Sequence, residues 1–255
     1  MNSSTKQHLY LMTGASRGMG LAMAEQLLQA GHALLTLARQ PNDSLQAVAA
    51  QHGAQLTQWA VDLSDAAAAA TRLRSWLVDK AADPFASVTL INNAGMIPAI
   101  VPLRDAVDGD TAQALRVGLE APMLLTAAFL DATRAWQVKR RVLNISSGLG
   151  RRPMASQAAY CAAKAGMDLF THCVALDEAS QANGALLCSL APGVIDTDMQ
   201  VHLRSAEPES FPDRDNFTQL KSSGNLSSPE EAARRVLAYL ERPDFGNQVV
   251  ADVRD

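Results

Sequence analysis

Short apolar runs alternate with longer stretches of helical periodicity along nearly the whole chain, and this alternation restricts the fold more than any other property of the sequence. Strands are expected at residues 9–12, 33–38, 56–61, 88–92, 142–145, 186–190 and 249–253. Helices are expected at 21–29, 45–52, 111–136, 157–181 and 229–241, with one more capped by Ser64 and running to about residue 80. In the helix at 21–29, Leu21, Ala24, Leu27 and Leu28 fall on one face. Gly31 and Gly53 close two of the helices, while Ser228 and Pro229 open the last one as N-cap and first residue. The run at 88–92 is continuously apolar, which suits a strand covered on both faces. Repeated strand–helix–strand order with such strands implies right-handed crossovers and a parallel sheet with helices on both sides, an α/β, doubly wound, seven-stranded fold.

The 255 residues suit one such domain, 1–255, with no linker or second domain in view, and 48% hydrophobic content supplies a core. The alanine run at 66–70 lies inside a capped helix and reads as helix. Residues 205–216, rich in charge and turn formers, form the longest irregular stretch, either a lid (a substrate lid at about 198–225) or simply a loop. A net charge of −4 with scattered Lys and Arg gives no footprint for nucleic acid. No signal peptide is expected at the short polar start, and no run reaches membrane-spanning length; residues 121–130, bounded by Glu120 and Asp131, fit a buried helix. Three widely spaced cysteines (Cys161, Cys173, Cys188) and five unpaired histidines offer neither a disulfide scaffold nor a metal site. A cytoplasmic location is the expectation in the absence of any other address.

The first strand runs into Thr13-Gly14-Ala15-Ser16-Arg17-Gly18-Met19-Gly20, which opens a helix. A tight turn followed by backbone N–H groups at the positive end of a helix is what a dinucleotide pyrophosphate needs, and this is the strand–helix junction where doubly wound sheets bind it. An NAD site would place a carboxylate at the end of the second strand, whereas this strand ends Leu37-Ala38-Arg39. Arg39 and Arg17 could bracket a 2′-phosphate with bidentate guanidinium geometry, so NADP(H) is the expected cofactor. After the third strand, Asp62-Leu63 is placed to hold the adenine amino group; the alternative is helix capping by Asp62 or Ser64.

Four further features follow: Asn92-Asn93-Ala94-Gly95, Ser147, Tyr160-Cys-Ala-Ala-Lys164 with Tyr160 thirteen positions after Ser147, and Pro192-Gly193. Together with the Gly-x-x-x-Gly-x-Gly loop they resemble the short-chain dehydrogenases/reductases over nearly the whole chain, and so imply a single-domain Rossmann fold. The stretches 121–126, 192–200 and 217–231 look like the sepiapterin reductase and benzil reductase branch. The resemblance implies cofactor contacts along the glycine loop, Ser16 and Met19 included, and at Asn93, Ala94 and Gly95. It also implies them at Pro192, Gly193, Ile195 and Thr197, which would orient the nicotinamide, and at Tyr160 and Lys164.

A hydride delivered to a carbonyl carbon leaves an oxygen that needs a proton. A phenol near pKa 10 is a poor acid–base at neutral pH. Lys164, one turn from Tyr160, is expected to lower the phenol's pKa and to bind the nicotinamide ribose. Tyr160 is then the acid in reduction and the base in oxidation. Ser147 would hydrogen-bond the substrate oxygen, with Ser146 as the alternative. Around the reacting centre Met96, Ile97, Leu149, Met154, Ile195 and Met199 are apolar, which suits a hydrophobic ketone or α-diketone; a benzil-type aromatic diketone ranks ahead of a pteridine ketone. Met154 is equally well explained as core. Asp252 is a loose match to the acid that holds pterin in sepiapterin reductases. Many family members carry Asn in the long helix where this chain reads Val117-Gly118-Leu119, which leaves a non-catalytic NADP-binding sensor or scaffold as the alternative. A homodimer or homotetramer through the two long helices is implied by the same resemblance.

Overall fold

The computed structural model describes residues 7–80, 82 and 84–255. Its strands are β1 Gln7–Thr13, β2 Ala33–Ala38, β3 Leu56–Ala60, β4 Phe85–Asn92, β5 Lys139–Ile145, β6 Leu186–Ala191 and β7 Val250–Asp252. All pair in parallel, in the order β3-β2-β1-β4-β5-β6-β7. The order reverses between β1 and β4, and the strand ends there open a crevice. The helices are α1 Gly18–Gln29, α2 Asp43–His52, α3 Ala66–Val78, α4 Asp108–Leu115, α5 Ala121–Thr133, α6 Ala158–Ala179, α7 Asp198–Arg204, α8 Arg214–Ser222 and α9 Pro229–Leu240. Period-two alternation along β1 sends Tyr10 and Met12 to one face and Leu9 and Leu11 to the other. The first face packs against apolar residues of α1, α2 and α9, and the second against those of α3 and α5.

Three expectations are corrected. The N-cap of α3 is Asp65, whose carboxylate accepts from the Ala68 N–H at 3.3 Å; Ser64 instead donates its N–H to Asp62 at 2.9 Å. The helix expected at 111–136 is broken into α4, a π turn at Arg116–Glu120, and α5. The cause is Pro122, which has no N–H and whose ring would collide with the carbonyl four residues back, that of Gly118. The widened turn absorbs the defect by letting the Ala121 N–H reach the Arg116 carbonyl. The irregular stretch at 205–216 overlaps the start of α8, which with α7 covers a satellite apolar cluster of Ile100, Leu203, Phe211 and Phe217.

Candidate active site

At the end of β1 the chain turns through Gly14 (φ +72°) and Gly18 (φ +56°). Gly20, in the first turn of α1, cannot carry a side chain, because its Cβ would lie 2.0 Å from the Gly14 carbonyl oxygen. The loop is pinned by Asn93, whose Nδ2 donates to the carbonyls of Thr13 (3.1 Å) and Gly14 (3.0 Å). In return, Thr13 Oγ1 accepts the N–H groups of Asn93 and Ala94, both at 3.0 Å. Arg17 is the N-cap of α1 and makes no side-chain cap bond, and no acid occupies the first turn. The positive helix end therefore faces the crevice without an internal anion, over a cradle that a Cβ would fill, so these residues fit a dinucleotide phosphate.

Arg17 is exposed and pairs with Asp198 at 3.1 Å, while Arg39 is exposed at the end of β2. Asp62 is exposed, and the Ser64 N–H and hydroxyl hold its carboxyl below the usual range, with Arg39 adding a smaller pull. Leu63 is buried. Asn42 went unrecognised in the sequence. Its Oδ1 caps α2 at Ser44 (2.9 Å) and its Nδ2 donates to the Ser16 carbonyl at 3.1 Å, so it ties the glycine loop to α2. Gln58 of β3 holds Asn42 through paired backbone contacts at 3.0 Å. The Asn-Asp-Ser sequence ahead of the expected helix was the signal for that cap.

The reaction centre lies at the ends of β4, β5 and β6. Ser147 follows β5 and accepts the Leu149 N–H at 3.2 Å, starting a short 3₁₀ turn. Its neighbour Ser146 points elsewhere, donating to Asp168 Oδ1 at 2.6 Å, as does Ser189 from β6 at 2.6 Å. Tyr160 is buried, with the Ser147 hydroxyl close enough to lower its pKa somewhat against the effect of burial. Lys164 is buried with its Nζ 5.7 Å from the Tyr160 ring centroid and donates to the Ile145 carbonyl at 2.7 Å. That ammonium also stands 3.7 Å from where a Cβ on Gly95 would lie, in the floor of the crevice. Serine, phenol and ammonium are thus brought together.

The expected lowering of the phenol's pKa by Lys164 is not what the chain alone produces. Burial pushes Tyr160 up to about 12 and the Ser147 hydroxyl only partly opposes it, while the Lys164 ammonium is engaged by a carbonyl. Burial pushes Lys164 down to about 8, against the pull of Asp168 one turn further on. Asn92 is turned inward, donating to Asn144 (2.8 Å) and Thr126 (3.2 Å), and so braces the sheet beneath the crevice.

On the β6 side, Gly193 turns with φ +84° and Ile195 bridges to Ser227. Pro192 and Thr197 lie in the same partly buried exit segment, and the Thr197 methyl comes within 3.4 Å of where a Cβ on Gly18 would lie. Thr197 occupies the N-cap position of α7 without making the side-chain bond. Leu149 is buried, and Met96, Ile97 and Met199 are half-buried. Met154 packs with Ile97 on the cluster beneath α7 and α8, the core role weighed for it. Asp252 is held by the Arg254 guanidinium at 2.6 and 2.7 Å. Gly118 is buried in the π turn, and a Cβ there would stand 3.2 Å from that of Ala163.

The sequence matches the short chain dehydrogenase family over residues 8–208. It is 36% identical over 235 residues to the benzil reductase ((S)-benzoin forming) of Bacillus cereus, covering 92% of this chain and 94% of that protein. It is 31% identical over 260 residues to the sepiapterin reductase of Meriones unguiculatus, covering 96% and 95%. Among solved structures, a short-chain dehydrogenase/reductase from Burkholderia vietnamiensis is 33% identical with a TM-score of 0.64, covering 98% of each chain. An Agrobacterium tumefaciens protein assigned as a 2-deoxy-D-gluconate 3-dehydrogenase, with NADP bound, is 25% identical with a TM-score of 0.79, covering 98% and 96%.

Proposed function

Because the chain belongs to the short-chain dehydrogenase/reductase family, oxidoreductases acting on carbonyl or hydroxyl groups, we propose that it is an NADPH-dependent carbonyl reductase for ketones and α-diketones, with a benzil-type aromatic diketone as first choice and a sepiapterin-like ketone as second. The observation that carries this reading is the convergence of Ser147, Tyr160 and Lys164 beside the glycine-loop crevice.

The dinucleotide would be held by the loop from Gly14 to Gly20 and the free end of α1, by Asn93, Ala94 and Gly95, and by the segment from Pro192 to Thr197. Arg17 and Arg39, with no acid at the end of β2, favour a 2′-phosphate. When bound, the reduced nicotinamide supplies hydride to the carbonyl carbon. Tyr160 Oη gives its proton to the carbonyl oxygen: burial keeps the phenol protonated at neutral pH, and the Lys164 ammonium, with the positive charge the oxidised cofactor would carry, would bring its pKa down for the transfer. Ser147 Oγ steadies the same oxygen as charge develops. Lys164, a cation below about pH 8, stabilises the phenolate left behind. Leu149, Met96 and Met199 supply apolar walls, and α7 and α8, within residues 198–225, act as the lid. Exposed Met123, Leu169 and Leu176 on α5 and α6 favour self-association through those helices.

The test is NADPH oxidation with benzil, comparing wild type with Tyr160→Phe. Loss of the general acid should lower kcat by roughly 10³-fold while NADPH still binds. Cofactor binding without turnover of any carbonyl in a broad panel would refute the reductase and favour a sensor.

A further inference from the structure

Ser146 stands next to Ser147 in the chain, is 3% exposed, and has no part in the proposed proton transfer. Its contacts form a closed circuit with α6. The Ser146 N–H donates to the Leu190 carbonyl at 2.9 Å, where the β5–β6 ladder ends. A peptide unit is planar, so this bond also aims the carbonyl of the same unit, that of Ile145. The Ile145 carbonyl accepts the Lys164 ammonium at 2.7 Å. The Ser146 hydroxyl reaches the same helix one turn further on, donating to Asp168 Oδ1 at 2.6 Å. α6 therefore grips one peptide unit from two points, Lys164 and Asp168.

The segment that follows has no slack. Gly150 closes the turn after Ser147, and a Cβ there would lie 2.9 Å from Asp168 Oδ2 and 3.0 Å from the Lys164 carbonyl oxygen. The backbone after Ser147 thus lies directly on the stretch of α6 that carries Lys164 and Asp168. A hydroxyl bonded to a carboxylate makes a charge-assisted contact about twice as strong as a neutral one, which suits it to hold a strand end at a fixed height on a helix. The height matters, because reacting groups displaced by about 1 Å can lose about 100-fold in rate.

We propose that Ser146 is a positioning residue: by anchoring the Ile145–Ser146 peptide to Asp168, it sets where the Lys164 ammonium stands and how Ser147 meets Tyr160. This rests on the carbonyl-reductase reading and adds to it a residue that acts through Lys164 and Ser147. Ser189 is the matching control. It donates to the same Asp168 oxygen at the same 2.6 Å, but from within β6, with none of the three reacting side chains beside it in the chain.

The test compares Ser146→Ala with Ser189→Ala, using benzil and NADPH well below both melting temperatures. Each variant takes one hydroxyl from the same carboxylate, so both should melt lower, by roughly 3–12 °C. Only Ser146→Ala frees the peptide, so its kcat should fall roughly 10-fold to 100-fold while KM for benzil and the dissociation constant for NADPH change less than about 3-fold. Ser189→Ala should keep kcat within about 2-fold of wild type. Equal kcat in the two variants, or a loss in Ser146→Ala confined to KM, would overturn the proposal. If wild type reduces no carbonyl, the reductase reading falls, and the positioning claim is read instead from amide hydrogen exchange at residues 147–150. Exchange faster in Ser146→Ala than in Ser189→Ala then upholds it, and equal exchange overturns it.

Discussion

Asp168→Asn should weaken the fold and the site together, and the size of the effect follows from its contacts. The buried carboxylate receives Ser146 and Ser189 at 2.6 Å each on one oxygen and Arg151 at 3.3 Å on the other. Arg151 passes the link on to the Ala251 carbonyl at 2.7 Å, so one carboxylate joins α6 to the ends of β5, β6 and β7. Asparagine keeps the shape and an acceptor oxygen but removes the charge. Each serine bond then falls from charge-assisted to neutral strength, a loss of about 1 kcal/mol apiece. The Arg151 pair, with that side chain 36% exposed, contributes about 0.5–1 kcal/mol. Because Arg151 and Lys164 stay behind without their anion, removing the charge does not relieve the burial cost as replacing a whole pair would. The sum, about 3 kcal/mol, corresponds to a melting temperature lower by about 6–12 °C in calorimetry near neutral pH.

The pH dependence fixes the sign independently. The folded pKa of Lys164 is lowered to about 8 from 10.5, so between these values the unfolded chain binds more protons and stability rises with pH. Loss of the carboxylate lowers the folded pKa further, so the variant begins that rise at lower pH. The deficit against wild type must therefore narrow as pH is raised through about 8, where Lys164 becomes neutral in both proteins. A melting temperature within about 2 °C of wild type, or a deficit that widens with pH, would refute the reasoning.

Gly20→Ala would place a Cβ 2.0 Å from the Gly14 oxygen and force the loop open; NADPH affinity in a fluorescence titration should fall by roughly 100-fold or more. Arg39→Glu puts a carboxylate where ribose hydroxyls rather than a 2′-phosphate are favoured, so the ratio of kcat/KM for NADPH over NADH should drop by roughly 100-fold. An unchanged ratio would remove Arg39 from the cofactor site.

The strand positions were legible because burial on both faces writes continuous apolar runs such as 88–92, and the parallel order followed from the helices between them. Tyr160, Lys164 and Ser147 were legible because the first two depend on spacing within one helix and the third ends a strand. Asn42 and Asp168 were harder, since their roles come from partners far along the chain: Gln58 of β3 steadies Asn42, and Ser146, Ser189 and Arg151 surround Asp168. The spacing of Asp168 to Lys164, one helical turn, was the one local signal of the charge that steadies the ammonium. The effect of burial on the phenol's pKa in the chain alone was hidden for a related reason. Spacing reports that Lys164 is near Tyr160, but not that a carbonyl already holds the ammonium, nor how deeply the phenol is buried.

Gly118 makes the same point from the other direction. Read against an unbroken helix, it is a weak point costing about 1 kcal/mol relative to alanine. That comparison presumes regular i to i+4 bonding, which Pro122 forbids at the Gly118 carbonyl. In the π turn that results, the 3.2 Å approach between a Cβ at 118 and that of Ala163 means that even alanine would press on α6 between Tyr160 and Lys164. Glycine at 118 therefore avoids that crowding at Ala163, between the two side chains that the proposed chemistry requires. Pro122, four residues on, was the mark of it in the sequence.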